Sequence, residues 1–207
     1  MSSSEAGIQA LFIDVGGVML YNGWDSATRR AAALHFGFDQ AEMDSRHRMT
    51  FDTYEIGKLT LSEYLSRAVF FQPRDFTPEE FTAWILEQSK PYPEMLQLVR
   101  GLKAKYKLKV FVVSNEGREL TEFRIAKFAL GEFVDAFVCS CFVGLRKPDN
   151  DIYRMALDLV QVPPERIAYL DDRLLFVEVA AKFGLKSVQH VDYTTTAAAL
   201  AQLGLQL

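Results

Sequence analysis

One short stretch near the start of the chain, ALFIDVGGVMLYN at residues 10–22, constrains the fold more than any other. Residues 10–13 form an uninterrupted apolar run of strand length, a pattern typical of a central strand covered on both faces. The run ends at Asp14, and Gly16 and Gly17 then allow the backbone to turn sharply beside a bound group. Ligands of open α/β sheets gather at the carboxyl ends of strands. Asp14 is therefore a candidate site residue, although such an aspartate can equally well cap a turn.

After this stretch the pattern changes to amphipathic helices, which continue to about residue 104. Two capping boxes support these helices, Thr60 with Glu63 and Thr77 with Glu80. Later in the chain, helical patterns alternate with short apolar runs, and the expected strands are 107–113, 136–141, 166–170 and 185–191. Alternating strands and helices predict an α/β fold with a parallel sheet and right-handed crossovers. A helical insertion therefore separates the first strand from the second.

Polar residues follow four of the expected strands. They are Asp14, Ser114 with Asn115, Lys147, and Asp171 with Asp172. Each has a simpler interpretation as a turn, a solvated charge or a helix cap. Adjacent carboxylates repel each other unless a cation or a lysine compensates them. Three carboxylates at one sheet edge form a hard-oxygen site suited to Mg²⁺.

Composition limits the partners of the chain. Its 207 residues suffice for one domain with a sizeable core, or for a core domain with an insertion. A net charge of −4 offers no general attraction for nucleic acid or anionic membranes. Residues 1–10 predict a frayed leader and not a signal peptide, and the longest apolar stretch, 133–145, is too short to span a bilayer. We therefore expect a cytoplasmic protein.

The two cysteines, Cys139 and Cys141, lie two residues apart in an expected strand. Their side chains should share one face of that strand and pack as small hydrophobic groups. A metal site would need further ligands nearby, and the sequence places none there. We interpret both cysteines as core residues.

Four motifs in order, FIDVGGV, VVSN, GLRKP and YLDD, make the chain resemble the haloacid dehalogenase-like hydrolases. The resemblance covers nearly the whole chain. It implies a Rossmann-like, doubly wound parallel sheet core at residues 8–21 and 92–207, and an inserted all-helical cap domain at residues 22–91. The members that look most similar are sugar-phosphate phosphatases and the phosphatase domain of epoxide hydrolases. The latter share a segment similar to YEIGKLTLSEY.

The resemblance implies a catalytic role for four residues. Asp14 would attack phosphorus and form an aspartyl-phosphate, which divides a difficult displacement into two steps. Ser114 would donate its hydroxyl to a phosphoryl oxygen, and Lys147 would neutralise charge on the transferring group. Asp171 would orient Lys147 or a metal-bound water.

The resemblance also implies a Mg²⁺ site and contacts with substrate. Asp14, Asp172 and the backbone carbonyl of Gly16 would hold the metal, which lets an anionic nucleophile approach an anionic phosphate. The candidate substrate-binding residues are Gly17, Asn115 and Glu55.

Two positions depart from the family pattern. Most phosphatases of the family carry a second aspartate two residues after the nucleophile as proton donor, and here that position is Gly16. A missing general acid costs about 10²–10⁴ in rate. Glu55, His47 and Tyr21 are the hypothetical substitutes, although a solvated helix face is the simpler interpretation of Glu55 and His47. Phe176 stands where relatives often have a small polar residue, and we expect it to affect packing or site shape.

Three functions remain open at this point. The leading one is a Mg²⁺-dependent phosphatase of a small phosphorylated metabolite, with a sugar phosphate as the best candidate. A second is a haloacid dehalogenase, which uses the same aspartate to attack carbon, although Asp171 and Asp172 would repel a halocarboxylate. A third is a non-catalytic relative that binds a phosphometabolite or a partner protein. The aromatic residues Phe70 and Phe71 would permit a homodimer or pack within the cap, so we expect a monomer or a homodimer.

Overall fold

A five-stranded parallel sheet forms the centre of the computed structural model, which describes residues 7–207. The strands are β1 (Ala10–Ile13), β2 (Lys109–Ser114), β3 (Ala136–Cys139), β4 (Ile167–Asp171) and β5 (Lys186–Gln189). Their order across the sheet is β3-β2-β1-β4-β5, and all neighbouring pairs are parallel. β1 lies in the middle, where Phe12 is opposite Phe111 of β2 and Tyr169 of β4. The continuous apolar run of β1 is explained by this central place.

The described residues form ten α-helices. They are α1 (Ser26–Phe36), α2 (Gln40–Glu55), α3 (Leu61–Ala68), α4 (Pro78–Glu87), α5 (Pro93–Tyr106), α6 (Arg118–Lys127), α7 (Ser140–Val143), α8 (Asn150–Val160), α9 (Leu174–Lys182) and α10 (Tyr193–Gln202). Both predicted capping boxes are present, at the starts of α3 and α4. The helix α6 ends at Lys127, and Ala129 just beyond it has a left-handed backbone with φ of 50°.

Helices cover both faces of the sheet. Leu11 and Ile13 of β1 belong to a buried cluster that includes residues of α5 and α10. Ala10 and Phe12 point the other way and belong to a cluster with residues of α8 and α9. Alternate side chains of one strand therefore enter two separate cores. The expected α/β fold with a Rossmann-like, doubly wound parallel sheet is confirmed.

The helices α1 to α4 lie in the inserted segment of residues 22–91, called here the cap segment. They share a third buried cluster, which includes Trp24, Tyr64 and Phe81. Phe70 packs against Phe81, and Phe71 lies under the guanidinium of Arg46, so both aromatic residues contribute to packing within the segment. The division into a core at residues 8–21 and 92–207 and a cap domain at 22–91 stays a prediction.

Two stretches of backbone connect the cap segment with the sheet, and they run side by side. Tyr21 N donates to the carbonyl of Lys90 at 2.8 Å, and Tyr92 N donates to the carbonyl of Met19 at 2.9 Å. We call these paired stretches, residues 19–22 and 88–92, the crossing segments. The start and the end of the insertion are thereby held together at one place.

The third strand is shorter than expected. It ends at Cys139, and Ser140–Val143 is the short helix α7, so the prediction that both cysteines share one strand face is wrong. The Ser140 hydroxyl explains the change of direction, since it donates to the carbonyl of Glu55 at 2.7 Å and accepts from the Glu116 amide at 2.9 Å. Cys139 and Cys141 are both buried, as the core interpretation requires.

The boundaries of the second strand also differ. Lys107 has a left-handed backbone with φ of 56° and ends α5, so β2 begins two residues later than expected, at Lys109. The predicted leader falls partly on residues 1–6, which lie outside the described residues, whereas Ala10 is already in β1. Among residues 7–207, no helix combines the length and the apolar character needed to cross a membrane.

Candidate active site

Three carboxylates meet at the carboxyl end of the sheet. Asp14 follows β1 and Asp171 ends β4, and these neighbouring strands pair in parallel with Ile13 opposite Leu170. Asp14 and Asp171 are therefore adjacent. Together with Asp172 they place one oxygen each within 4.8 Å of one another. In water-poor surroundings such a group needs compensation by positive charge.

Lys147 supplies part of that compensation. Its side chain is fully buried, and its Nζ lies 3.1 Å from Oδ2 of Asp14 and 2.5 Å from Oδ2 of Asp171. Burial disfavours the charged ammonium, but Asp14 and Asp171 outweigh this and raise the pKa of Lys147. Asp171 is further held by the Tyr169 hydroxyl at 2.6 Å and by the backbone amide of Arg173 at 2.9 Å. The lysine is thus a permanent cation in a defined position.

Burial also acts on the carboxylates. It raises the pKa of Asp14 even though Lys147 is close, and burial together with Asp171 raises the pKa of Asp172. One ammonium therefore does not balance the three carboxylates. A divalent cation would favour the ionised form of both groups.

Ser114 ends β2 beside this cluster, and Asn115 follows the strand. The Ser114 hydroxyl is buried and has no hydrogen-bond partner among the described residues, so it is free to donate to a bound anion. The Asn115 amide instead bonds to the backbone of Lys147 in both directions, at 2.8 Å each. Asn115 lines the cleft, but its side chain is already used to position Lys147. Its contact with substrate stays a prediction.

The two glycines after Asp14 allow close approach. Gly17 has a φ of +75°, and a Cβ there would lie 2.3 Å from Oδ2 of Asp172. A Cβ at Gly16 would lie 2.7 Å from Oδ1 of Asn22. The Asn22 side chain thus occupies the space beside the position where a second aspartate is missing. Sequence reasoning did not single out Asn22, because an asparagine after a turn has no distinctive signal.

Comparisons with known proteins agree with this geometry. The family model described as haloacid dehalogenase-like hydrolase matches residues 8–184. This chain belongs to the haloacid dehalogenase-like hydrolases. Flavin mononucleotide hydrolase 1 of Arabidopsis thaliana is 24% identical over 92% of this chain and 78% of its own length. The D-ribitol-5-phosphate phosphatase of Bacteroides thetaiotaomicron is 23% identical over 88% of this chain and 91% of its own length.

Solved structures of this hydrolase family have the same fold. A HAD-family enzyme of Bacteroides thetaiotaomicron, in complex with magnesium and inorganic phosphate, superposes with a TM-score of 0.75. It is 20% identical, and the match covers 88% of this chain and 94% of that one. The recognition of this hydrolase from its four motifs is confirmed.

A cleft of about 100 Å³ opens above the carboxylates of this hydrolase, between the sheet and the cap segment. Asp14, Gly16, Asn115 and Asp172 line one part of it. Phe176 also lines it, and its ring lies 5.1 Å from the Nζ of Lys147. The expected effect of Phe176 on site shape is consistent with this place, since an aromatic ring packs over the buried lysine.

Glu55 is the one proposed proton donor that reaches the cleft. It is buried at the end of α2, and its carboxylate lies 2.8 Å from the Nη2 of Arg146. Burial raises the pKa of Glu55, and Arg146 opposes the shift. The interpretation of Glu55 as part of a solvated helix face is therefore wrong. Its role toward substrate stays a prediction.

The other two proposed donors lie elsewhere. His47 is buried in the cap segment, where its Nδ1 is 2.8 Å from the hydroxyl of Tyr64, so it is neither solvated nor part of the cleft. Tyr21 is 45% exposed, packs against Tyr92 and does not line the cleft. Neither side chain is placed to protonate a leaving group above Asp14.

A buried ion pair in the cleft wall was missed by sequence reasoning. Glu116 pairs with the guanidinium of Arg124, and both line the cleft. Arg124 is only 1% exposed, which is unusual for an arginine. Burial raises the pKa of Glu116, and Arg124 opposes the shift. No local signal reveals the pair, because charged residues at the start and on the face of a helix are usually solvated.

The residues at the cleft floor fit a hard divalent cation. Three carboxylates with one oxygen each within 4.8 Å are a donor set that Mg²⁺ accepts while keeping several waters. The unpartnered Ser114 hydroxyl lies at the end of the neighbouring strand, where it would meet an anion bound beside such a cation.

Proposed function

We propose that this hydrolase is a Mg²⁺-dependent phosphatase that cleaves a small phosphorylated metabolite through an aspartyl-phosphate. The observation that carries the proposal is the contact of Lys147 with both Asp14 and Asp171, at 3.1 and 2.5 Å, beside a third carboxylate. A nucleophilic carboxylate, a fixed cation and a hard-metal site in one place are what phosphoryl transfer requires.

Each residue has a defined part in the proposed reaction. An oxygen of Asp14 attacks phosphorus while the bond to the leaving oxygen breaks, and that oxygen takes a proton from solvent and departs as the alcohol. Water then hydrolyses the acyl phosphate, which releases inorganic phosphate and regenerates the Asp14 carboxylate. The Nζ of Lys147 balances negative charge on the transferring group, and the Ser114 hydroxyl donates to one of its oxygens. Asp171 acts as a positioning residue, because it holds Lys147 and is itself held by Tyr169.

Asp14, Asp172 and the carbonyl of Gly16 are the proposed ligands of Mg²⁺. The cation supplies charge neutralisation, so that an anionic nucleophile and an anionic phosphate approach each other. Gly17 contributes by keeping the space beside Asp172 open for this carboxylate.

The charge of the site supports phosphoryl transfer over dehalogenation. A dehalogenase attacks carbon next to a carboxylate and uses no metal. In a dehalogenase, Asp171 and Asp172 would repel the substrate carboxylate. Lys147 would be the one ammonium beside the three aspartates to offset their charge. Bound Mg²⁺ would offset this negative charge in a phosphatase, whereas a dehalogenase binds no metal.

Phosphate release with and without metal tests the proposal. We expect release from phenyl phosphate and from at least one phosphorylated metabolite in Mg²⁺, and its loss in chelator. Asp14→Asn should abolish it, since the amide is a poor nucleophile, and Asp171→Asn should reduce it by weakening the hold on Lys147. Unchanged release in Asp14→Asn would reject the aspartyl-phosphate. Absence of release, with phosphate still binding in Mg²⁺, would favour a non-catalytic binding protein.

Sugar phosphates are the first metabolites to include in this panel. The relatives support this choice, because one is named a D-ribitol-5-phosphate phosphatase. We also propose that the protein acts in the cytoplasm as a monomer or homodimer, without nucleic acid or membrane partners.

A further inference from the structure

The part of the cleft away from the carboxylates is mostly apolar. Its apolar lining residues include Trp24, Phe51, Tyr54, Ile85, Leu120 and Phe176. All of these except Phe51 are buried. Four of them come from the cap segment, and two come from helices that pack on the sheet. The leaving group of a substrate bound at Asp14 therefore meets aromatic and aliphatic side chains.

Three acidic side chains of the same wall already have protein partners, whereas Arg173, which is exposed, and Asn22 also line the cleft. The carboxylate of Glu116 is paired with Arg124, and that of Glu55 lies 2.8 Å from Arg146. Asp25 accepts from the amide of Thr28 at 2.8 Å as the N-cap of α1. A ligand hydroxyl that faces the apolar side chains finds no partner on them.

The polar ends of the aromatic residues are engaged as well. The Tyr54 hydroxyl donates to Glu119 at 3.2 Å, and Trp24 Nε1 donates to the hydroxyl of Tyr64 at 2.7 Å. What these residues offer to the cleft is the apolar part of their rings. A sugar has a hydroxyl on nearly every carbon, and each one buried without a partner costs roughly tenfold or more in affinity.

The size of the cleft limits the group that fits. A dry cavity of about 150 Å³ lined by apolar side chains accepts one benzene ring. The volume here is about 100 Å³, and it includes the end of the cleft beside Asp14 and Asp172. The part of the leaving group that the wall encloses is therefore no larger than one ring.

We infer that the substrate is a phosphomonoester whose alcohol side is a small apolar or aromatic group. The inference rests on the proposed function. Among small phosphorylated metabolites it favours an apolar leaving group over the sugar phosphates that the name of one relative suggests. Selectivity arises because an apolar group displaces water from the wall at no cost in hydrogen bonds, whereas a polyol loses its hydration without replacement.

Matched substrates test this inference. Benzyl phosphate and glucose 6-phosphate both carry phosphate on a primary carbon, so leaving-group chemistry does not decide the comparison. We expect kcat/KM to be at least about tenfold higher for benzyl phosphate. A kcat/KM for glucose 6-phosphate that equals or exceeds that of benzyl phosphate would overturn the inference and leave the phosphatase in place. No release from either compound, nor from methyl phosphate and phenyl phosphate, would reject the proposed function itself.

A cap-segment variant tests where the selectivity arises. Leu86 is half-buried and lines the cleft, so Leu86→Asn should lower the ratio of kcat/KM for benzyl phosphate to that for methyl phosphate by about tenfold. Leu34 lies on α1 at 80% exposure and does not line the cleft, so Leu34→Asn is the matched control. An unchanged ratio in Leu86→Asn, or an equal fall in Leu34→Asn, would contradict an apolar leaving-group site.

Discussion

The Nη2 of Arg124 donates to the carbonyl oxygen of Tyr21 at 2.7 Å. The same guanidinium donates through Nε to the Ser89 hydroxyl at 3.0 Å. Tyr21 and Ser89 lie on the two crossing segments, so one arginine binds both ends of the insertion. Its charge is balanced by Glu116, two residues after Ser114. This pair thus connects the crossing segments with the chain that follows Ser114, whose hydroxyl is proposed to bind the phosphoryl group.

Removal of Arg124 should therefore be costly. In Arg124→Met the carboxylate of Glu116 stays buried without its partner, and we expect a loss of about 3–5 kcal/mol in the free energy of unfolding, measured by denaturant titration. The double variant Arg124→Met with Glu116→Gln should regain part of this loss. Arg154→Met removes an exposed ion pair with Asp151 and should change stability by less than about 1 kcal/mol. A double variant no more stable than the single one would contradict this account.

Gly17 is required by the place of Asp172. In Gly17→Ala the added Cβ lies 2.3 Å from Oδ2 of Asp172, so the carboxylate must move. We expect Mg²⁺ binding, measured by calorimetry, to weaken about tenfold or more. Gly37 has a similar φ of +70° and no atom within 4 Å of an added Cβ. Gly37→Ala is therefore the control: it carries a similar backbone cost of about 1 kcal/mol and should leave Mg²⁺ affinity unchanged.

The space at position 16 predicts how a proton donor can be restored. An aspartate there meets the Asn22 side chain, since its Cβ lies 2.7 Å from Oδ1. We expect the double variant Gly16→Asp with Asn22→Gly to accelerate hydrolysis of an alkyl phosphate by up to about 10²-fold, and Gly16→Asp alone to gain less. Gly16→Asn with Asn22→Gly has the same shape without the proton and should show no gain. An equal gain in that control would exclude acid catalysis as its cause.

His47 should make the fold sensitive to acid. The Tyr64 hydroxyl accepts from Trp24, so its proton points to Nδ1 of His47, which is unprotonated. Burial lowers the pKa of His47 from 6.5 to about 4. Between these values the unfolded chain binds the proton more tightly, so stability that is complete above the unfolded pKa is lost as the pH falls toward the folded pKa.

We expect this histidine to account for about 2 kcal/mol of the loss in unfolding free energy between pH 7 and pH 5. The measurement is denaturant unfolding at both values for the wild type and for His47→Asn, which keeps an acceptor near Tyr64 but does not titrate. The variant should lose less stability than the wild type over this interval. An identical loss in both proteins would show that His47 does not titrate in this range.

Much of the site was predictable because it follows from local pattern. The apolar run of β1 predicted a buried central strand and put Asp14 at its carboxyl end, and parallel strands place their ends at one edge. The two capping boxes were readable because both partners lie within one helical turn. The placement of Cys141 in a helix was not predictable, because α7 depends on contacts of Ser140 with the distant residues Glu55 and Glu116.

The sequence by itself determined the α/β class, the helical insertion and the residues at the strand ends, because each depends on neighbours within a few positions. The tertiary structure alone decided that Arg124 binds Tyr21 across 103 positions of the chain. It alone decided that His47 and Tyr21 lie away from the cleft and that apolar side chains line its far part. The physical reason is that burial and pairing are set by which distant segments meet, and a charged or aromatic residue has the same local pattern whether it is solvated or enclosed.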